Sequence, residues 1–301
     1  MYRNFRRLVR GDTCLDSSSF FFEYPSGRAS IAWLMLKPLK RFRWVKVIHD
    51  GSLPTRYDNF GFKQKLLFKI LIRFVDEFIV VSEDLHIWLR DIIRVKQKVS
   101  LIKSLLPIPP ESFNAPLPVE IEQAIAHHDK VICSIGVFTP VYGFKDIAAA
   151  IESVRQESGL DIGLLLVDGS FAIDEDYKSE VLWQREWVTV VTNLPHPQVL
   201  QVLKRSDIFV RGVALESYGL SRVESLWCGT PVVATRMGET RGMLLYDYGD
   251  GEMLIQQIKE ALFNPPMQNI RIWAERFECE AEDNLQAMLN ILSPDRGPYD
   301  R

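Results

Sequence analysis

The 301 residues are 47% apolar and 25% charged with a net charge of −3, the profile of a folded chain with material for a large core, which excludes a disordered or disulfide-stapled scaffold. Length favours two domains over one. Cys14, Cys133, Cys228 and Cys279 stand far apart without a C-x-x-C pair, so neither a zinc site nor a disulfide framework is expected, and a reducing cytoplasm fits.

The opening, MYRNFRRLVRGDTCLD, is basic but has no apolar stretch behind it, so no signal peptide is expected. SSFFFEY, from residue 18, reads as a strand and ASIAWLMLKPL, from residue 29, as a helix. The apolar run at 29–36 is far shorter than the roughly 18 residues of a membrane span. A basic cluster, KPLKRFRWVK (37–46), leads into the strand WVKVIHD. FKQKLLFKILIRFVDEF (62–78) then reads as an amphipathic helix, with Lys63, Lys65, Lys69 and Arg73 set among Leu66, Leu67, Phe68, Ile70, Leu71, Phe74 and Val75. Its apolar side can pack on a sheet while the lysines are solvated, or the helix can lie in a layer of anionic headgroups. Both hold if one face packs and the basic rim meets lipid. FIVVS as a strand, EDLHIWLRDII as a helix and KVSLIK as a strand complete this part. Strands alternating with helices mean a parallel sheet.

Residues 1–103 carry 20 Lys and Arg against 10 Asp and Glu, a net +10, and the remainder 16 against 29, a net −13. A basic part joined to an acidic one is expected to face an anionic partner. No helix-turn-helix, RRM or KH signature accompanies the charge, so a membrane surface, not nucleic acid, is the partner expected.

Five prolines in 105–119 read as a linker. The alternation then restarts. KVICSIGV (130–137), DIGLLLVDG (161–169), WVTVVTNL (187–194), DIFVRGVA (207–214) and TPVVATR (230–236) read as strands. Helices are expected from Phe144 to Gln156, over HPQVLQVLKRS, from Leu220, and over 267–292. Two doubly wound domains in series are therefore expected, 1–112 and 113–301, with ligands outside the carboxyl ends of the strands and in the cleft that the two domains face.

The stretch that carries chemistry is DIFVRGVALESYGLSRVESLWCGTPVVAT (207–235). Glu216 and Glu224 are separated by seven residues, a spacing that Glu252 and Glu260 share and that means little by itself. Its context gives it weight. Glu216 ends an apolar strand, Ser217-Tyr218-Gly219 makes a turn, and Glu224 lies early in the following helix. A glycine turn into a helix lets backbone N–H groups approach a diphosphate closely. Carboxylates on either side of that anion can accept hydrogen bonds from sugar and ribose hydroxyls.

With SDIFV before it, SLWCGTPVVAT after it, CSIGVFTPVYGF at the start of the second domain and LLLVDG, this stretch resembles the retaining nucleotide-sugar glycosyltransferases of family four. VKVIHDG and EFIVVSEDL extend the likeness, more weakly, into the first domain. The resemblance implies an α/β chain with the GT-B fold, in which two Rossmann-like domains face a cleft. It also implies transfer of a sugar from a nucleoside diphosphate sugar to an acceptor hydroxyl with retention (EC 2.4 class), in polysaccharide or glycolipid biosynthesis. Carried over residue by residue, Glu216 touches the donor sugar hydroxyls and Glu224 the ribose. The backbone of Ser217, Tyr218, Gly219 and Leu220 lies at the diphosphate, Gly136 lines the donor site, and His49 in VIHDG approaches the donor sugar as a catalytic residue.

Two departures stand out. Where the family places an arginine and a lysine against the diphosphate, GVFTPVYG offers Val137 and Tyr142. Lys145, Arg211, Arg222 and Arg241 are the cations at hand, and Arg211, near a strand end, is the one expected in the donor site. The first domain is also short for the fold. A late start, a partner chain that completes it, and impaired activity are the three readings, and the last two make a noncatalytic or partner-dependent subunit that binds a nucleotide sugar the alternative function. No D-x-D pair stands in position, so neither a metal nor another cofactor is expected. The nucleotide sugar, a saccharide or lipid-linked acceptor and an anionic membrane face are the expected partners, with the protein peripheral on the inner face of the membrane.

Overall fold

Short runs of Val, Ile and Leu, buried on both faces, build two parallel sheets whose connecting helices cover them. The computed structural model describes residues 13–16, 43–169 and 173–292. The strand expected at SSFFFEY, the helix expected at ASIAWLMLKPL and the opening basic segment lie outside them. The chain divides into two compact units, one reaching to Ser104 and resuming at Asp283, the other running from Leu105 to Glu282.

In the first unit, β1 (Cys14–Asp16), β2 (Trp44–Ile48), β3 (Glu77–Val80) and β4 (Lys98–Leu101) pair in that order, all parallel. Between them lie α1 (Leu53–Asp58), α2 (Phe62–Ile72) and α3 (Glu83–Ile87), the last continued by a π-helical turn over Trp88–Ile93. The basic helix α2 buries Phe68, Leu71 and Ile72 on the sheet and ends at Ile72, not at residue 78 as expected. The reason is a long-range pairing: Asp76 takes the Trp44 N–H on its carboxylate at 2.6 Å and donates its own N–H to the Trp44 carbonyl at 2.9 Å. That lays the chain beside β2 and starts β3 at Glu77.

The second unit begins before the expected break at 112, because the proline-rich segment packs within it. Leu105 and Leu117 are buried in its core, Phe113 lies against Trp227, and the Pro116 carbonyl accepts from Gln198 at 3.1 Å. There follow α4 (Val119–His127), β5 (Lys130–Gly136), α5 (Phe144–Ser158), β6 (Ile162–Asp168), α6 (Glu175–Leu182), β7 (Val188–Thr192), α7 (His196–Arg205) and β8 (Ile208–Arg211). The series ends with α8 (Leu220–Trp227), β9 (Val232–Thr235), β10 (Leu244–Tyr246), α9 (Gly251–Phe263) and α10 (Met267–Leu292). Helices α1, α4, α6 and α9 and strands β1 and β10 are additions to the sequence reading. The sheet order is β10-β9-β8-β5-β6-β7, all parallel.

This is the doubly wound order, and its switch point lies between β5 and β8. Helices α5, α6 and α9 bury Ile147, Ile151, Val181 and Leu254 on one face of the sheet. Helices α7, α8 and α10 bury Leu200, Leu203, Val223 and Phe277 on the other. The end of α10 belongs with the first unit, where Ile291 packs on Val45, Val47 and Ile79 and its carbonyl accepts from Arg43.

At the switch point the backbone approaches closely. Gly143 opens α5 with φ +66°, and a Cβ there would lie 2.2 Å from the Gly212 carbonyl oxygen. Gly143→Ala is expected to destabilise the protein by at least about 3 kcal/mol. Gly159→Ala, at a similar φ of +71° but in open space, is expected to cost about 1 kcal/mol, with urea unfolding of both as the check.

Candidate functional site

The carboxyl edge of the second sheet gathers three loops: 137–143 after β5, 212–219 after β8, and 236–243 after β9. Arg211 ends β8. Its Nε and Nη2 donate to Glu216 Oε2 at 2.9 and 2.8 Å, its Nη1 donates to the Ile135 carbonyl, and its guanidinium lies 5.1 Å from the centroid of the Tyr142 ring. Arg211 and Glu216 side chains are 11% and 14% exposed, so neither is fully enclosed. Arg211 stands at the strand end, bound to the carboxylate that was expected to meet the sugar.

The turn that follows is built tightly. Gly219 opens α8 with φ +82°, a left-handed conformation that glycine adopts without strain. Ser217 is half-buried, Tyr218 buried and Leu220 exposed. The Tyr218 carbonyl accepts the Glu239 N–H at 2.8 Å, which ties the second loop to the third. Gly136 ends β5 where a Cβ would strike the Tyr142 ring at 2.4 Å. Val137 is buried.

Glu224, one helical turn further on, is buried, and its Oε1 lies 2.7 Å from Nε2 of His196, the first residue of α7. The hydrogen bond to Glu224 raises the His196 pKa above its ordinary value, burial opposes it, and the carboxylate charge adds to the rise. His196 was not among the residues that the sequence singled out. A histidine at the start of a helix was a weak signal, and its 28-residue distance from Glu224 hid the pairing.

The other cations are occupied. Lys145 Nζ binds Glu180 at 2.6 Å, and Arg241 binds Glu239 at 2.5 Å and Glu280 at 2.9 Å while lying over Trp273 and Phe277. Arg222 is wholly buried. His49 belongs to the first unit, just past β2, with Nδ1 3.5 Å from Ser104 Oγ. Partial burial, and then the nearby charge of Lys46, lower its pKa. The edge of the second sheet thus brings together Gly136, Arg211, Glu216, Ser217, Tyr218, Gly219, Leu220 and Glu224. Among the described residues, no three His, Cys, Asp or Glu side chains gather as a metal site.

The sequence model of the glycosyl transferases group 1 family matches residues 120–270, half of the chain. The chain belongs to that family. Solved structures similar to this glycosyltransferase include a sucrose-phosphate synthase from Thermosynechococcus elongatus, at 20% identity and a TM-score of 0.67 over 88% of this chain and 72% of that one. A UDP-forming α,α-trehalose-phosphate synthase from Burkholderia xenovorans in complex with glucose-6-phosphate gives 12% and 0.73 over 97% and 76%. HepE from Anabaena in complex with UDP and glucose gives 18% and 0.66 over 89% and 76%. The likeness is one of fold, GT-B. No curated protein matches the chain in sequence.

The raised pKa of His196 carries a sign for this glycosyltransferase. Its pairing with Glu224 stabilises the fold fully below the unfolded histidine value of about 6.5 and is lost as pH rises through the higher folded value. The melting temperature of the unchanged protein relative to His196→Gln is therefore expected to be highest below about pH 6 and to decline above neutrality, in thermal scans across pH 5.5–8.5.

Proposed function

We propose that this chain transfers a sugar from a nucleoside diphosphate sugar to an acceptor hydroxyl with retention, in the manner of family four glycosyltransferases. The observation that carries the reading is the arrangement of Glu216 and Glu224 on either side of the α8 N-terminus, at the switch point of a doubly wound sheet. In this reading Glu216 accepts hydrogen bonds from the sugar hydroxyls and Glu224 from the ribose, each a charge-assisted bond. The backbone N–H groups from Ser217 to Leu220 meet the diphosphate, where they stabilise the charge that develops as the sugar departs. Gly136, whose missing side chain makes room for the Tyr142 ring, lines the donor site, and His49 serves the sugar from the first domain. Neither metal nor cofactor takes part. UDP is the nucleotide to test first, because HepE is described with UDP and glucose and the trehalose-phosphate synthase as UDP-forming.

The ion pair between Arg211 and Glu216 favours a second reading, a subunit that binds the nucleotide sugar without turning it over, alone or with a partner chain. Binding and turnover separate the two. Thermal stabilisation by UDP and UDP-sugars is expected for the unchanged protein, through the mass action of a ligand on the folded state. Glu224→Ala is expected to weaken UDP binding at least about tenfold. Glu216→Gln is expected to keep UDP binding and to lower sugar transfer at least about a hundredfold. Binding with no turnover toward any acceptor would select the second reading, and a fully active Glu216→Gln protein would remove Glu216 from the site.

The acceptor side of the proposal rests on α2. Its outward face carries Phe62, 82% exposed, with Lys63, Leu66, Lys69 and Arg73 also exposed, an aromatic and basic stripe that suits an anionic bilayer surface and a lipid-linked or saccharide acceptor in polysaccharide or glycolipid assembly. Among the described residues, no helix is long and apolar enough to cross a membrane. Cosedimentation with vesicles containing phosphatidylserine is expected, and Lys63→Gln/Lys69→Gln/Arg73→Gln should weaken it about a hundredfold, at about 1 kcal/mol per basic side chain.

A further inference from the structure

A dianionic diphosphate at this edge needs positive charge close by, and the loop after β5, VFTPVYG (137–143), has none. Lys145, Arg211 and Arg241 each sit against a carboxylate. Arg222 differs from all three. It lies in the first turn of α8, is 0% exposed, and makes no ion pair with a carboxylate among the described residues. Its Nη1 is shared among the carbonyls of Thr235 at 3.0 Å, Met237 and Glu239 at 3.2 Å, and its Nη2 donates to Thr235 Oγ1 at 3.2 Å. Its Nε is buried without a hydrogen-bond partner. A Cβ at Gly219 would lie 3.1 Å from that Nε and 3.2 Å from Glu216 Cγ, so the guanidinium sits directly beneath the turn that opens α8.

We propose that Arg222 is a buried positioning residue which, resting on the donor-site reading above, makes the α8 N-terminus selective for a diphosphate. It acts in two ways. Its charge adds to the partial positive charge of the helix N-terminus from below, without touching the ligand. Its hold on three carbonyls also fixes the loop after β9, whose Gly238 abuts Glu216 Cγ and the Tyr218 carbonyl, where a Cβ would fall at 2.8 and 2.9 Å. Glu216, Arg211, Tyr246 and Glu239 are the charged and titratable groups that face it. Burial lowers its pKa to about 10, which leaves the guanidinium charged at neutral pH.

Isothermal titration of the full chain with UDP and with UMP tests the proposal. The unchanged protein is expected to prefer UDP, and Arg222→Met to bind UDP about tenfold more weakly with a much smaller loss for UMP. Arg222→Lys supplies a test that does not depend on the methionine variant folding. A lysine desolvated at this position loses its proton more readily than an exposed one, so its preference for UDP is expected at pH 7 and lost by about pH 9, a range over which the unchanged protein stays constant. An equal loss of both nucleotides in Arg222→Met, or a preference in Arg222→Lys that does not change with pH, would show a structural clamp only and overturn the proposal. If the unchanged protein binds neither nucleotide, the donor-site reading falls first, and this one with it.

Discussion

Two neighbouring parallel strands, β5 and β8, send their following helices to opposite faces of one sheet, and the candidate site depends on the crevice that opens between them. The backbone there is so close that Gly143 has no room for a side chain against Gly212. Into this crevice β8 delivers Arg211, which binds the Ile135 carbonyl of β5, the Glu216 carboxylate of its own loop and the face of Tyr142. An ion pair open to solvent contributes little to stability, and even buried pairs are weak evidence for it. What this pair supplies is geometry: three contacts of different kinds leave Arg211 few orientations, and two donors of that guanidinium converging on Glu216 Oε2 restrain the carboxylate as well.

The same features explain what the sequence could reveal. Strands buried on both faces are continuous apolar runs, so β5, β6 and β8 are visible without any tertiary knowledge. Strand β10 is three residues long, and its partner β9 defines it more than its own composition does. The end of α2 is set by Asp76 reaching Trp44, a contact between residues 32 apart, and no helical periodicity carries that information. The five prolines do mark an irregular segment, but whether it spans or packs depends on Leu105 and Leu117 finding the second core.

For the site, strand, turn and helix N-terminus are consecutive in the chain, and this is why the pairing of Glu216 with Glu224 stands out in a sequence where the same spacing occurs again at Glu252 and Glu260. That second pair lies within α9, with no strand and no glycine turn between its members. His196 and Arg222 act through partners that folding brings to them from other elements. An arginine in the first turn of a helix reads as a solvated charge, and only the carbonyls of 235–239 reveal that it is enclosed.

Magnitudes decide what the α8 N-terminus can do alone. Aligned amides at a helix start stabilise an anion by about 0.3–1 kcal/mol when exposed and up to about 2 kcal/mol when partly buried. Removing a charged phosphate from water costs several kcal/mol, so the helix dipole falls short by itself. A full charge that lay about 5 Å from such an anion would contribute about 3 kcal/mol at an effective dielectric of about 20, an amount of the size required. Arg211 supplies less than that while Glu216 neutralises it, and Arg222, hydrogen-bonded to carbonyls and the Thr235 hydroxyl and ion-paired with no carboxylate among the described residues, keeps its charge at neutral pH. Carbonyls stabilise a guanidinium without cancelling its net charge. An arginine held in that way can therefore act on an anion through the turn above it, where one held by a carboxylate acts mainly on the carboxylate.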